Sequence, residues 1–225
     1  MSGPSSARTP AEPVPPHAGQ PVLGHGADLQ RARGAMVLVH GRGASAEDIL
    51  SLSDEFLDSS FIYMAPQASG SVWYPQTFLA PLASNEPGLS SALSVIESIV
   101  GNLETAGIPP ERVILLGFSQ GACLVLEYAA RHARRYGGVA GLSGGLIGPE
   151  GTPRDYPGSF AGTPVVLGCS VADPHIPRPR VEETARVLGS MGAEVTLRLY
   201  PDPGHTVNED EVELVRKMVS AVSAG

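Results

Sequence analysis

Three side chains far apart in the sequence have the types and local settings needed for nucleophilic acyl transfer: Ser119, Asp173 and His205. A serine hydroxyl is a weak nucleophile at neutral pH. It needs a base to take its proton, and the base needs a group to orient it. Ser119 lies in Gly117-Phe118-Ser119-Gln120-Gly121, between an apolar run at 113–116 and an apolar stretch at 122–130. Strand, tight turn and helix, in that order, make G-x-S-x-G a nucleophile elbow. The turn lifts the hydroxyl above the sheet edge, the glycines leave room where strand and helix converge, and the helix aims N–H groups at the same point.

A second copy, Gly141-Leu142-Ser143-Gly144-Gly145, runs into Gly148, Pro149 and Gly151, which forbid a helix. Ser143 is therefore expected at a strand end lining the cleft rather than as a nucleophile. Asp173 follows the apolar run 164–169, and His205 follows the alternating run 194–200. Both leave the carboxyl ends of strands, in the chain order serine, acid, histidine. Among the other histidines, His17 lies in the N-terminal tail, His40 in the first loop, His132 near a helix end and His175 beside Asp173. Only His205 combines a strand exit with a Gly-flanked loop. Asp202 is the rival acid; Asp173 is preferred because its strand exit precedes that of the histidine.

Acyl transfer also needs donors for the oxyanion. The backbone N–H of Gln120 follows the serine directly, and His40-Gly41-Arg42-Gly43 has the H-G-x-G form that supplies a second N–H, from Arg42. The same loop fits the dinucleotide pattern G-x-G-x-x-A through Ala46. The next strand, however, ends in Ala65-Pro66-Gln67, without the acid that would hold a ribose.

The elements that position these groups alternate. Apolar strands are predicted at 35–39, 61–65, 113–116, 138–142, 164–169 and 194–200, with a weak edge strand near 21–23. Helices are predicted at 45–57, opening on a capping box, and at 90–106, 122–130, 179–191 and 208–222. This is an α/β protein with a mostly parallel sheet and helices on both faces. One domain is expected over 21–225, after a disordered tail, 1–20, that is rich in Pro, Ser and Ala and lacks the apolar core of a secretory signal.

Composition narrows the partners. A net charge of −8 over 225 residues argues against nucleic acid and anionic membrane surfaces. No apolar run is long enough to span a bilayer, so no stable membrane insertion and a cytoplasmic location are expected. Cys123 and Cys169 lie in apolar elements and read as buried free thiols, and no Cys/His cluster suggests a metal.

Taken together, H-G-R-G-A, the A-P-Q…W-Y-P loop, G-F-S-Q-G-A, S-V-A-D-P-H-I-P and P-G-H-T-V resemble the phospholipase/carboxylesterase family, over about residues 35–220. That family of α/β-hydrolases includes the acyl-protein thioesterases. The resemblance implies the α/β-hydrolase fold and a small esterase with no metal or organic cofactor. It matches Ser119, Asp173 and His205 to the triad, Arg42 and Gln120 to the oxyanion donors, and Trp73 to a cleft-lining aromatic. It departs at Arg42, where the acyl-protein thioesterases usually carry an apolar residue. A guanidinium aimed into the cleft would favour anionic or electron-rich esters.

The connection 143–163 is short and Gly/Pro-rich, so no large cap domain is expected. The cleft should be open and shallow, walled by Trp73, Tyr74, Phe78, Leu146 and Ile176. The expected substrate is a small-molecule ester of short to medium acyl chain. The same triad leaves a thioesterase or lysophospholipase open, and a hydrolase-fold binding protein without turnover is the remaining class. A homodimer is left open.

Overall fold

The apolar runs pair side by side because each is apolar on both faces and must be covered on both. The computed structural model describes residues 12–201 and 204–225. In it β1 (Val22–Gly26), β2 (Gly34–Val39), β3 (Phe61–Pro66), β4 (Val113–Phe118), β5 (Gly138–Leu142), β6 (Pro164–Ser170) and β7 (Glu194–Tyr200) form one sheet. Their order is β1-β3-β2-β4-β5-β6-β7. Only β1 runs antiparallel, along β3; every other pairing is parallel. This is the α/β-hydrolase fold.

Alternate strand residues face two separate cores. Val37, Val39, Leu115 and Leu167 pack beneath α2 (Gly88–Thr105), α3 (Gln120–Arg131) and α4 (Arg178–Ser190). Met36, Leu38, Leu116 and Val166 pack beneath α1 (Ala46–Ser51) and α5 (Glu209–Ala224). Capping boxes start α1, with Ser45 and Asp48, and α5, with Asn208 and Glu211.

Two expectations change. The helix predicted over 45–57 stops at Ser51 and tightens into a 3-10 stretch over Leu52–Phe56. There Ser51 Oγ and Ser53 Oγ donate to the Asp48 and Leu50 carbonyls, competing with the helical ladder. Part of the segment expected to be a disordered tail, 1–20, is also packed against the fold. Residues 1–11 lie outside the described residues, but Val14 and His17 bond Ser94 and Ser91 of α2, and His17 is buried. The Ser69 N–H donates to His17 Nδ1, so His17 Nε2–H donates to the Trp73 carbonyl at 2.8 Å. A Pro-rich composition suggested no core contact, yet one imidazole with both nitrogens bonded anchors the segment behind the loop carrying Trp73. Burial keeps its pKa below the usual histidine value.

Candidate active site

The central strand β4 hands over to α3 through a single residue, Ser119. Its φ of 56° and ψ of −118° lie where side-chain-bearing residues are costly. The surroundings fix it there: Ser119 N–H donates to the Leu142 carbonyl at 3.0 Å, and Cys123 N–H donates back to the Ser119 carbonyl at 3.0 Å. A Cβ at Gly117 would strike the Gly121 carbonyl, and one at Gly121 would strike the Val39 carbonyl. Only glycine lets β4, α3 and β2 close around the turn. The result is a half-buried hydroxyl at the carboxyl edge of the sheet.

Asp173, past the end of β6, and His205, past the end of β7, complete a line. Ser119 Oγ lies 2.7 Å from His205 Nε2, and His205 Nδ1 lies 2.7 Å from Asp173 Oδ2. The carboxylate accepts from Nδ1–H, which leaves Nε2 free to accept from the serine hydroxyl. Burial alone would raise the Asp173 carboxyl. The His205 bond and the N–H groups of His175 and Ile176, at 2.8 and 3.0 Å, overcome it and hold the carboxyl below its usual range. The rival acid Asp202 lies outside the described residues.

The loop after β2 lies against the serine: a Cβ at Gly41 would sit 3.3 Å from Ser119 Cβ. His40 is buried under it. Ala68 N–H donates to His40 Nε2, so His40 Nδ1–H donates to the Gly41 carbonyl at 2.7 Å. Burial lowers its pKa, consistent with this neutral form. Among the described residues the backbone N–H groups of Arg42 and Gln120 bond no protein acceptor, as an anion site beside Ser119 requires.

A profile of the phospholipase/carboxylesterase family matches residues 27–223. The chain belongs to that family. With it, the chain is a carboxylic ester hydrolase. It is similar to the solved phospholipase/carboxylesterase of Dyadobacter fermentans, with 42% identity and a TM-score of 0.86 over 90% of this chain and 97% of that one. It is 26% identical to acyl-protein thioesterase 1 of Emericella nidulans, over 86% of this chain and 92% of that protein. A match to acyl-protein thioesterase 1 of Gibberella zeae, 28% identical, covers 57% of this chain and spans about half, 55%, of that relative's length.

Beside Ser119 the esterase has a cavity of ≈ 300 Å³. Tyr74, Phe78 and Ile176 line it, as expected. Trp73 and Leu146 are not among its lining residues; both are fully buried. Trp73 is turned inward because its indole N–H donates to the His40 carbonyl at 2.9 Å and its ring lies against His40. Leu146 is held in the core by its own backbone, which bonds Thr184 and Arg180 of α4. Ser143 is likewise buried rather than on the cleft wall. Arg42 does line the cavity, but its guanidinium is spent on the carbonyls of Tyr74, Pro75 and Gln76.

Sequence reasoning missed two cavity residues of consequence. His175 meets the His205 ring edge-on at 5.0 Å; its place two residues after Asp173 was the available signal. Cys123 lines the cavity one helical turn after Ser119, a spacing that puts both on one side of α3. Burial pushes its thiol up to about 12, so it is an inert wall and not a second nucleophile.

Proposed function

We propose that the protein is a serine carboxylesterase that cleaves short- to medium-chain carboxylic esters through an acyl-enzyme on Ser119. The observation that carries this reading is the unbroken line from Ser119 Oγ through His205 to Asp173, with both links at 2.7 Å. His205 Nε2 takes the serine proton as Oγ attacks the ester carbonyl. The negative charge moves to the carbonyl oxygen, held by the N–H groups of Arg42 and Gln120 at the start of α3. The imidazolium, steadied by the Asp173 carboxylate, gives its proton to the departing alcohol. Water then repeats the sequence on the acyl-enzyme and frees the acid.

Chain length follows from space. A cavity of ≈ 300 Å³ is at the small end for ligand sites and has apolar walls in Tyr74, Phe78 and Ile176. The connection after β5 does not roof it. Arg154 ties that segment to Glu183 of α4, and Tyr156 ties it to Glu127 of α3. Relatives named acyl-protein thioesterase favour a thioester as the second reading; the triad chemistry is the same, and only the leaving atom differs. No helix among the described residues is long and apolar enough to cross a membrane, and the reading places the enzyme in the cytoplasm.

The test is turnover of p-nitrophenyl esters and matched thioesters from two to sixteen carbons. Efficiency is expected to peak at or below about eight carbons. A peak at the longest chains would remove the size argument, and ester turnover surviving in Ser119→Ala would remove the acyl-enzyme.

A further inference from the structure

The two residues whose backbone N–H groups face the proposed oxyanion both send their side chains to one atom. Arg42 Nη2 donates to the Tyr74 carbonyl at 2.7 Å, and Gln120 Nε2 donates to the same carbonyl at 2.9 Å. These residues come from different elements, the loop after β2 and the first turn of α3. Among the described residues, no hydrogen bond joins the two side chains directly. Their meeting point is a third segment, the Trp73–Gln76 loop.

The rest of the lacing makes that loop a rigid spacer. Arg42 spreads its fork over three successive carbonyls: Nη2 also reaches Gln76 at 2.7 Å, and Nη1 reaches Pro75 at 3.2 Å. A planar guanidinium presents its donors as a rigid fork that spans such a set, whereas an ammonium is a compact point charge on a flexible stem. Gln120 uses both ends of its amide, because Oε1 accepts the Trp73 N–H at 3.0 Å, which fixes which end is which. The Trp73 indole closes the circuit on the His40 carbonyl at 2.9 Å, two residues before Arg42.

We propose that the Arg42 and Gln120 side chains are positioning residues. Bridged through the Tyr74 carbonyl, they hold the Arg42 and Gln120 backbone N–H groups at the separation the oxyanion requires. The inference rests on the function proposed above. Its physical basis is that these donors act only where the charge develops, and a displacement of about 1 Å costs on the order of 100-fold in rate. Arg42 therefore acts on kcat for every ester, neutral ones included. This separates it from an anion-binding guanidinium, which would act on KM for charged esters alone.

The experiment measures kcat and KM on neutral p-nitrophenyl acetate and butanoate and on an anionic ester, p-nitrophenyl hemisuccinate. The proteins are wild type, Arg42→Ala, Arg42→Lys, Gln120→Ala and the double variant, with Ser119→Ala as control. Melting temperatures and inhibition by a butyl trifluoromethyl ketone, which mimics the tetrahedral adduct, are measured alongside. Arg42→Ala should lower kcat by about 10- to 100-fold and change KM by less than about threefold. Its melting temperature should stay near wild type, since the side chain is exposed. Ketone affinity should fall in proportion to kcat/KM, and Arg42→Lys should recover little. The double variant should lose less than the product of the single losses, because both act through one carbonyl.

Three results would overturn the proposal. The first is kcat for Arg42→Ala within about twofold of wild type; the second is a loss confined to KM of anionic esters; the third is losses that multiply in the double variant. Turnover surviving in Ser119→Ala would instead overturn the function itself, and the bridge with it.

Discussion

The molecule makes the same serine turn twice, on adjacent strands, and uses it differently. Ser119 has φ 56° and donates its N–H to the end of β5; Ser143 has φ 53° and donates its N–H to Gly168 of β6. Both are flanked by glycines in G-x-S-x-G. The first turn opens into α3 and a cavity that holds His205. The second is roofed by α3 itself: a Cβ at Gly144 would strike the Ala122 Cβ, and the Ser143 hydroxyl is turned to the Cys169 thiol. Backbone strain is thus common to both and decides nothing about chemistry. In the proposed function, reactivity follows from what the turn leads into, a helix start with an imidazole above it or a closed core.

The largest expected effect is on the proposed nucleophile. Ser119→Ala should lower kcat by about a millionfold, while Ser143→Ala should stay within about threefold in steady-state ester hydrolysis. Equal losses in the two would erase the contrast. Next, Asp173→Asn should cost on the order of 10⁴-fold, because an amide in place of the carboxylate favours the wrong tautomer of His205. A loss below about tenfold would mean that the carboxylate does not orient the ring.

The third prediction concerns folding. Gly144→Ala forces a methyl into Ala122, so it should lower unfolding free energy by about 1–3 kcal/mol in urea titrations. The protein that remains folded should keep near-normal kcat, whereas Gly121→Ala should damage stability and turnover together, since its methyl meets Val39 beside the proposed oxyanion site.

The smallest effect tests the floor beneath the second turn, where Glu211 of α5 packs against Gly168. Burial pushes its carboxyl up to about 7, above the unfolded value. Its contribution to stability is therefore complete below the unfolded pKa and is lost as pH rises through about 7. Glu211→Gln keeps the capping pattern, so it should raise the melting temperature by about 5 °C near pH 8 and change it little near pH 4. The opposite pH dependence would refute the assignment.

Much of this was legible in the sequence, for physical reasons. Strands buried on both faces must be continuously apolar, which is why β2, β4, β5 and β6 stood out. Ser119, Asp173 and His205 could be grouped because each lies past the carboxyl end of a strand, and a parallel sheet brings those ends to one edge. The inward turn of Trp73, the clasp of Arg42 and the docking of His17 were not legible. Each depends on a hydrogen bond to a carbonyl 32 or more positions away, and no local pattern encodes such a partner. Leu146 and Ser143 were misplaced for a related reason: a Gly-rich stretch after a strand was taken for an exposed rim, and it is covered by α3 and α4.

The most direct measurement is covalent. Wild-type protein treated with an alkyl fluorophosphonate and digested should carry one phosphonyl group per chain, on the peptide containing Ser119, with loss of turnover in the same proportion. Label on the Ser143 peptide, or full inactivation with Ser119 unmodified, would contradict the account.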